Sequence, residues 1–322
     1  MSSFYTPPFT MTDEIMNLVI EIAELTGAIA VSEQLSRNPK LRRENRIKSI
    51  HSSLAIEQNS LTEEQVSDVI NGKRVLGPLQ DIREVKNAYE AYDIMTKLNP
   101  YSVKDLLKAH KIMMSGLVKE AGMFRSKGIG VYAGDQLIHA GTPANYVPDL
   151  IAQLFQWLQQ SKLHPLVKSC IFHYEIEFIH PFADGNGRTG RLWHTLILAK
   201  WKEFLLWIPI ESIIKERQDG YYKALNDSNT AGESTKFVEF MLELIRDLLT
   251  ELANGKSITS EKTPEDKVLE LIKGDEKLSA AEMSERIGLS QRQVQRVLKT
   301  LKDDKKIEYI GAKRDGYYRI ID

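Results

Sequence analysis

Helical spacing of apolar residues, broken repeatedly by proline and glycine, does most to restrict the fold of this chain. Ile15, Leu18, Val19, Ile22 and Leu25 recur at the α-helical period, behind Thr12 as N-cap and with Asp13 and Glu14 in the first turn. The same period runs through 88–97, 103–116, 147–161, 166–179, 188–202 and 235–252. Asn99-Pro100, Gly141-Thr142-Pro143, His164-Pro165 and His180-Pro181 punctuate these segments. Only 125–138 reads as strand, with Ile129, Val131 and Tyr132 leading into the turn Ala133-Gly134-Asp135. A mainly α body with one exposed hairpin is expected.

The tail reads differently. Residues 254–263 form a polar linker. Three short helices follow over 264–273, 279–287 and 290–302, with Gly288-Leu289-Ser290 supplying the last turn and its N-cap. Two β-rich runs, 307–310 and 317–321, then flank a turn. This is the element order of a winged helix-turn-helix. On 290–302, Val294, Val297, Leu298 and Leu301 make the apolar face and leave Arg292, Gln295, Arg296 and Lys299 outward with no acid among them. Such a face suits DNA, and it also suits a protein partner. Lys313 and Arg314 at the hairpin tip could reach phosphates.

Composition narrows the class. The 322 residues carry 43 Lys plus Arg against 44 Asp plus Glu, a formal charge of -1, which excludes a wholesale polyanion binder. Hydrophobic content of 42% with 27% charged residues excludes a disordered chain. One cysteine, Cys170, permits neither an internal disulfide nor a thiolate metal cluster and points to a reducing, cytoplasmic setting. The opening Met1-Ser2-Ser3-Phe4-Tyr5 has no basic and apolar signal pattern, so no secretory leader is expected. The most apolar run, 204–210, is far short of the ~18 residues that span a bilayer, and no membrane partner is expected.

Chemistry concentrates in His180-Pro181-Phe182-Ala183-Asp184-Gly185-Asn186-Gly187-Arg188-Thr189-Gly190-Arg191. Two glycines around Asn186 free the backbone to present N–H groups where a helix begins, and Arg188 and Arg191 add positive charge three residues apart. Asp184 could hold a divalent cation, and His180 is the nearby side chain able to accept a proton near neutral pH. Together these suit chemistry on a nucleotide phosphate. Gly185, Gly187 and Gly190 also spell G-x-G-x-x-G, with Glu211 about twenty residues on, the outline of a dinucleotide-binding βαβ unit. The interruption 181–184 and the lack of alternating strands speak against that reading. No Gly-Lys-Ser/Thr follows, so a P-loop is excluded, and no H-E-x-x-H or Cys/His set supports zinc. His173 and the four tryptophans are expected in the core.

The same segment resembles, without a gap, the H-P-F-x-D-G-N-G-R-x-x-R signature of the Fic family, protein AMP-transferases. His173-Tyr174 and Glu177-Phe178-Ile179 resemble the helix leading into the motif, and Gly122, Phe124 and Arg125 resemble the segment that carries the Fic flap. The resemblance implies a Fic helical fold with a β-hairpin flap. It implies ATP as substrate and Mg²⁺ on Asp184, with His180 as general base for a Ser, Thr or Tyr hydroxyl. Gly185, Asn186 and Gly187 would form the anion nest, Arg188 and Arg191 would hold the outer phosphates, and Phe182 would pack under the loop. Tyr221 and Tyr222 would line the nucleobase side. The flap segment Ile129, Gly130 and Val131 would pair with a target as an added strand. The implied partner is a target protein, with self-modification and a homodimer also compatible.

Ser53-Leu54-Ala55-Ile56-Glu57 matches the S/T-x-x-x-E pattern of the family's inhibitory helix. The resemblance implies that Glu57 pairs with Arg191 and denies it to the γ-phosphate. Gln58 departs from the Gly or Asn usual there, and Asn59 sits one place later. The organisation that follows has an N-terminal helical region over 1–110 with the inhibitory helix near 47–60. A Fic core over 111–253, the linker over 254–263 and a winged helix-turn-helix over 264–322 complete it. AMP removal or transfer of another nucleotide fragment at the same site is the alternative within enzymology. A nucleotide-sensing DNA-binding regulator is the alternative outside it.

Overall fold

The computed structural model describes residues 5–31, 38–128, 130–133, 136–140, 142–254, 264–274, 278–304, 306–311 and 316–320. It divides into two compact units, Met1–Ile258 and Thr259–Asp322. Ile129, Lys313, Arg314 and most of the expected linker lie outside the described residues.

The first unit is built on two helices that bury nearly their whole circumference, α7 (Pro165–Ile179) and α8 (Asn186–Trp201), packed against each other and joined by the loop 180–185. Helices buried on nearly every side belong at the centre of a bundle, here with Arg188, Arg191 and His194 enclosed along with the apolar residues. Around α7 pack α6 (Val147–Gln160) and α11 (Thr235–Ala253). Along α11 lies α1 (Asp13–Val31), whose Ile15, Leu18 and Ile22 are buried and whose Ile15 N–H donates to the Thr12 hydroxyl at 3.2 Å. On the far side of α8 sits α5 (Val103–Met113), which also packs on α4 (Leu79–Asp93). The hairpin pairs β1 (Gly130–Ala133) with β2 (Gln136–Ala140), Gly130 opposite Ala140, with an irregularity between Val131 and Tyr132.

Helix α2 (Pro39–Ile56) starts on Asn38, whose side chain accepts from the Lys40 and Leu41 N–H groups. It ends at Ile56, before the C-cap Glu57 and four residues short of the expected 60, because Gln58 turns left-handed at φ 67°. Its buried residues mix Ile47, Ile50, Leu54 and Ile56 with Asn45, Arg46, Lys48, Ser49, Ser52 and Ser53, so polar groups interrupt its apolar stripe. Two short helices, α9 (Ile210–Glu216) and α10 (Gln218–Ala231), follow the 3-10 turn Glu203–Trp207; α9 packs on α2 and α10 on α11. A helix rather than a strand precedes the glycine loop, and 204–210 forms no strand, which removes the βαβ reading. Trp157 and Trp193 are buried as expected, whereas Trp207 is half-buried and carries the guanidinium of Arg42 and of Arg46 on its ring.

The second unit runs α12 (Pro264–Gly274), α13 (Ala280–Ile287), α14 (Gln291–Asp303), then β3 (Ile307–Ile310) antiparallel to β4 (Tyr317–Ile320). Both Ser279 and Ser290 close capping boxes, with Glu282 and Gln293. Its own core contains Val268, Ile272, Met283, Val294, Leu298, Leu301 and Ile307. Arg292, Gln295, Arg296 and Lys299 stand exposed on α14.

Candidate active site

The loop between α7 and α8 is shaped by its own residues. His180 caps α7 in the left-handed region at φ 52°, and Gly185 begins α8 at φ 83°, where a side chain would be strained. Asn186 closes the loop in both directions: its Oδ1 accepts from the Phe182 N–H at 2.8 Å and its Nδ2 donates to the Phe182 carbonyl at 2.9 Å. Phe182 is fully buried and stacks on His110 at 3.7 Å. It thus anchors the loop from beneath and forms no part of the cavity wall.

Two residues from before the hairpin clamp the loop. Arg125 donates from Nε to the His180 carbonyl at 2.7 Å, from Nη1 to Lys127 O at 2.9 Å, and from Nη2 to Thr142 O, so it ties the base of the hairpin to the loop. His110 bonds the Asp184 carbonyl through Nε2 at 2.9 Å and accepts the Gly122 N–H on Nδ1 at 2.9 Å, which fixes the neutral Nε2–H tautomer. Burial lowers its pKa to about 4, as a supporting neutral ring requires. Nothing local to His110 announces this role, because it acts on a loop remote in sequence.

A cavity of about 670 Å³ opens over the loop, lined among others by Glu57, Glu177, His180, Asp184, Asn186, Gly187, Arg191, Tyr221 and Tyr222. The His180 ring places Nδ1 3.3 Å from the Glu177 carbonyl; since that oxygen only accepts, Nδ1 carries the proton and Nε2 keeps its lone pair. Gly185 gives α8 no side-chain cap, so N–H groups of its first turn remain for an anion. The Asp184 side chain is 55% exposed, and its Oδ1 accepts from Gly185 N at 2.6 Å and Arg188 Nη2 at 2.9 Å. Arg188 is withdrawn from the cavity wall: its Nη1 also meets Glu84 at 3.3 Å, and Glu84 in turn accepts from Asn59 Nδ2 at 2.8 Å.

Arg191 is held from the other end of the chain. Its Nη2 donates to Glu57 Oε1 at 2.7 Å and to the Ser53 carbonyl at 2.9 Å, and its Nε donates to the Ser53 hydroxyl at 3.1 Å. Gly187 makes room for this: a Cβ there would lie 2.5 Å from Glu57 Oε1 and 2.9 Å from an Arg191 nitrogen. Burial by itself would lower the Arg191 pKa, and the adjacent Glu57 and Tyr221 outweigh it and raise it. Glu177 joins the same cluster. Burial pushes its pKa up to about 7, opposed by Arg191 and reinforced by Glu57, and the Tyr221 hydroxyl lies 3.4 Å away. The signal for Glu177 in the sequence is a carboxylate three residues before His180, a signal it shares with Glu175 on the same largely buried helix. His173 is buried in the core, with Nε2 3.1 Å from the Tyr221 hydroxyl.

Residues 100–198 match the Fic/DOC family, and residues 267–308 match a family described as winged helix-turn-helix DNA-binding. A solved structure of a Fic family protein from Desulfovibrio desulfuricans G20 is 45% identical, covers 98% of both chains and superposes with a TM-score of 0.76. This chain belongs to the Fic family. Among curated relatives, protein adenylyltransferase fic-1 of Caenorhabditis elegans is 27% identical over 265 residues, covering 77% of this chain and 48% of the relative. Protein adenylyltransferase Fic of Drosophila virilis is 27% identical over 237 residues, covering 70% and 46%. This Fic protein therefore spans about half the length of the curated relatives it matches. A structure of C. elegans Fic-1 (aa134–508), 21% identical over 75% of this chain and 72% of that one, shares the fold at a TM-score of 0.62. Among the described residues no helix is long and apolar enough to cross a membrane.

Proposed function

We propose that this Fic protein moves AMP from ATP to a Ser, Thr or Tyr hydroxyl of a target protein or of itself, and that Glu57 restrains it. The observation that carries the reading is the Arg191–Glu57 contact of 2.7 Å at the edge of a cavity that also holds His180, Asp184 and the uncapped start of α8. The adenylyltransferase names of the curated relatives support the same chemistry.

In this reading His180 Nε2 takes the proton of the target hydroxyl as its oxygen attacks the α-phosphorus. The bond to the bridging oxygen breaks and pyrophosphate leaves. The nest over 185–187 receives phosphate oxygens as they gain charge, an electrostatic aid that needs no rearrangement. Arg191 would bind the outer phosphates, but Glu57 already occupies it and offers like charge to the γ-phosphate. Arg188 would serve the phosphates through Asp184. Tyr221 and Tyr222 would flank the base. The donor set suits Mg²⁺: one exposed carboxylate, Asp184, completed by phosphate oxygens and water. Bound there, Mg²⁺ would offset the charge growing on the leaving pyrophosphate. Gly130 and Val131 would pair with the target through main-chain bonds, and Arg292, Arg296 and Lys299 of the second unit would contact DNA.

Incubation with ATP labelled on the α-phosphate, with and without Mg²⁺, tests this, beside γ-labelled ATP and α-labelled UTP. Protein-bound label from α-labelled ATP alone is expected. Label from the γ-position would replace AMP transfer by phosphate transfer, and label from UTP alone would replace the nucleotide.

A further inference from the structure

A second cavity, of about 360 Å³, lies against the first half of α2, lined by Arg42, Arg43, Arg46, Tyr89, Tyr92 and Trp207, with Asp93 and Thr96 also on its wall. Its chemistry centres on Arg46. That residue is only 9% exposed, yet none of its N–H groups makes a hydrogen bond or ion pair among the described residues. What holds it is stacking: its guanidinium lies 4.8 Å from the Trp207 ring centre and 5.1 Å from that of Tyr92. Arg42 stacks on Trp207 as well, at 4.9 Å.

Stacking uses the faces of a guanidinium and leaves its edge, with its fork of N–H donors, unused. No Arg46 nitrogen is both buried and unpartnered, so these donors open onto the cavity, where an oxygen acceptor can reach them. The charge around it does not settle the account within the chain. Burial lowers the Arg46 pKa; Tyr92, then Glu211, Asp93 and Tyr89, act against this. Glu211 is committed elsewhere, accepting from Tyr92 at 2.8 Å. Asp93 is exposed and shares the cavity wall with three arginines.

We infer that this cavity is a binding site for a small oxyanion, a phosphate ester or a carboxylate, gripped by the edge of Arg46 and flanked by Arg43. Paired N–H donors in one plane match the paired oxygens of either group. The volume admits a small metabolite and excludes a folded partner. The site lies on the helix whose other end presents Ser53 and Glu57, and it shares no lining residue with the first cavity.

The full chain is titrated with inorganic phosphate and, separately, with acetate, at ionic strength held constant by KCl, with tryptophan emission as the readout because Trp207 lines the cavity. Wild type, Arg46→Gln and Arg191→Ala are compared. At least one anion should give a saturable change, which Arg191→Ala keeps and Arg46→Gln weakens about tenfold or more. Phosphate alone, acetate alone or both identifies the oxyanion. Absence of saturation with either anion overturns the inference. So does equal affinity in Arg46→Gln, or a signal lost in Arg191→Ala and kept in Arg46→Gln, which would move it to the nucleotide loop. Should Arg46→Gln not fold, Arg43→Gln, an exposed change on the same wall, takes its place. A several-fold weaker affinity supports the site and an unchanged affinity overturns it.

Discussion

Replacing Glu57 by Gly removes one carboxylate from a defined place and leaves its backbone role intact. Glu57 is the C-cap of α2 at φ -92° and ψ 21°, and its N–H bonds to Leu54 O at 3.0 Å survive in glycine. The penalty for glycine inside a helix therefore does not apply. What disappears is a charge-assisted hydrogen bond of 2.7 Å to a buried arginine, worth about 1.5–3 kcal/mol. Arg191 keeps two bonds to Ser53, so the loss of stability without nucleotide should stay at about 1–2 kcal/mol and be recovered when ATP is added. If the same contact is what ATP must displace, its removal should raise AMP incorporation by about 10- to 150-fold. Glu57→Gln should activate less, because an amide still reaches Arg191 without the charge. The assay is label from α-labelled ATP bound to protein, for wild type, Glu57→Gly and the Glu57→Gly, Arg191→Ala double variant, beside a melting curve for each. Equal incorporation by wild type and Glu57→Gly, both folded and both binding ATP, would refute the lock. High incorporation by the double variant would refute the role of Arg191.

Gln58 occupies the left-handed region at φ 67°, a conformation that costs a non-glycine residue about 1–2 kcal/mol, so Gln58→Gly should raise the melting temperature by a few degrees at unchanged restraint. Burial pushes the Glu175 pKa up to about 7, above the ordinary carboxylate value, so the fold favours its protonated form; that stability is full below about pH 4.5 and is lost as pH rises through 7. Glu175→Gln, which never ionises, should flatten this fall and exceed wild type by about 1–3 kcal/mol at pH 8 in denaturant titrations. Duplex DNA binding by the full chain should fall on the order of a hundredfold between 50 and 200 mM salt if α14 makes about four to six phosphate contacts, and Arg296→Ala should reduce that slope; no binding at low salt would leave protein docking as the role of this face.

The central pair α7 and α8 is legible through its apolar runs, and the helices of the second unit because there the apolar period and the caps agree. Ser290 starts a helix with Gln293 three places on, and Val294, Val297, Leu298 and Leu301 are all buried as their spacing implies. Helix α2 is legible only at its C-terminal end, through the resemblance of 53–57. Its buried residues mix Ile47, Ile50, Leu54 and Ile56 with Asn45, Arg46, Ser49, Ser52 and Ser53, so the polar ones break up the hydropathy pattern. The loop residues announce their chemistry as a motif, whereas the groups that hold the loop do not. His110 reaches Asp184 across 74 residues, and Arg125 reaches His180 across 55. Glu84 meets Arg188 only because α4 and α8 both flank α5, a tertiary fact that no local pattern carries. Gln58 departs from the family pattern in residue type but keeps the left-handed backbone that glycine or asparagine would adopt with less strain.

The measurement that bears most directly on the account is single-turnover AMP incorporation in the unlocked background, Glu57→Gly against Glu57→Gly, His180→Ala, with ATP binding measured on both. The nest and Arg191 are separate from the imidazole, so both variants should bind ATP with similar affinity, and loss of the general base should slow incorporation by about 10²–10⁴-fold. Equal rates in the two variants would contradict His180 as the base and with it the assignment of this loop as the site of transfer.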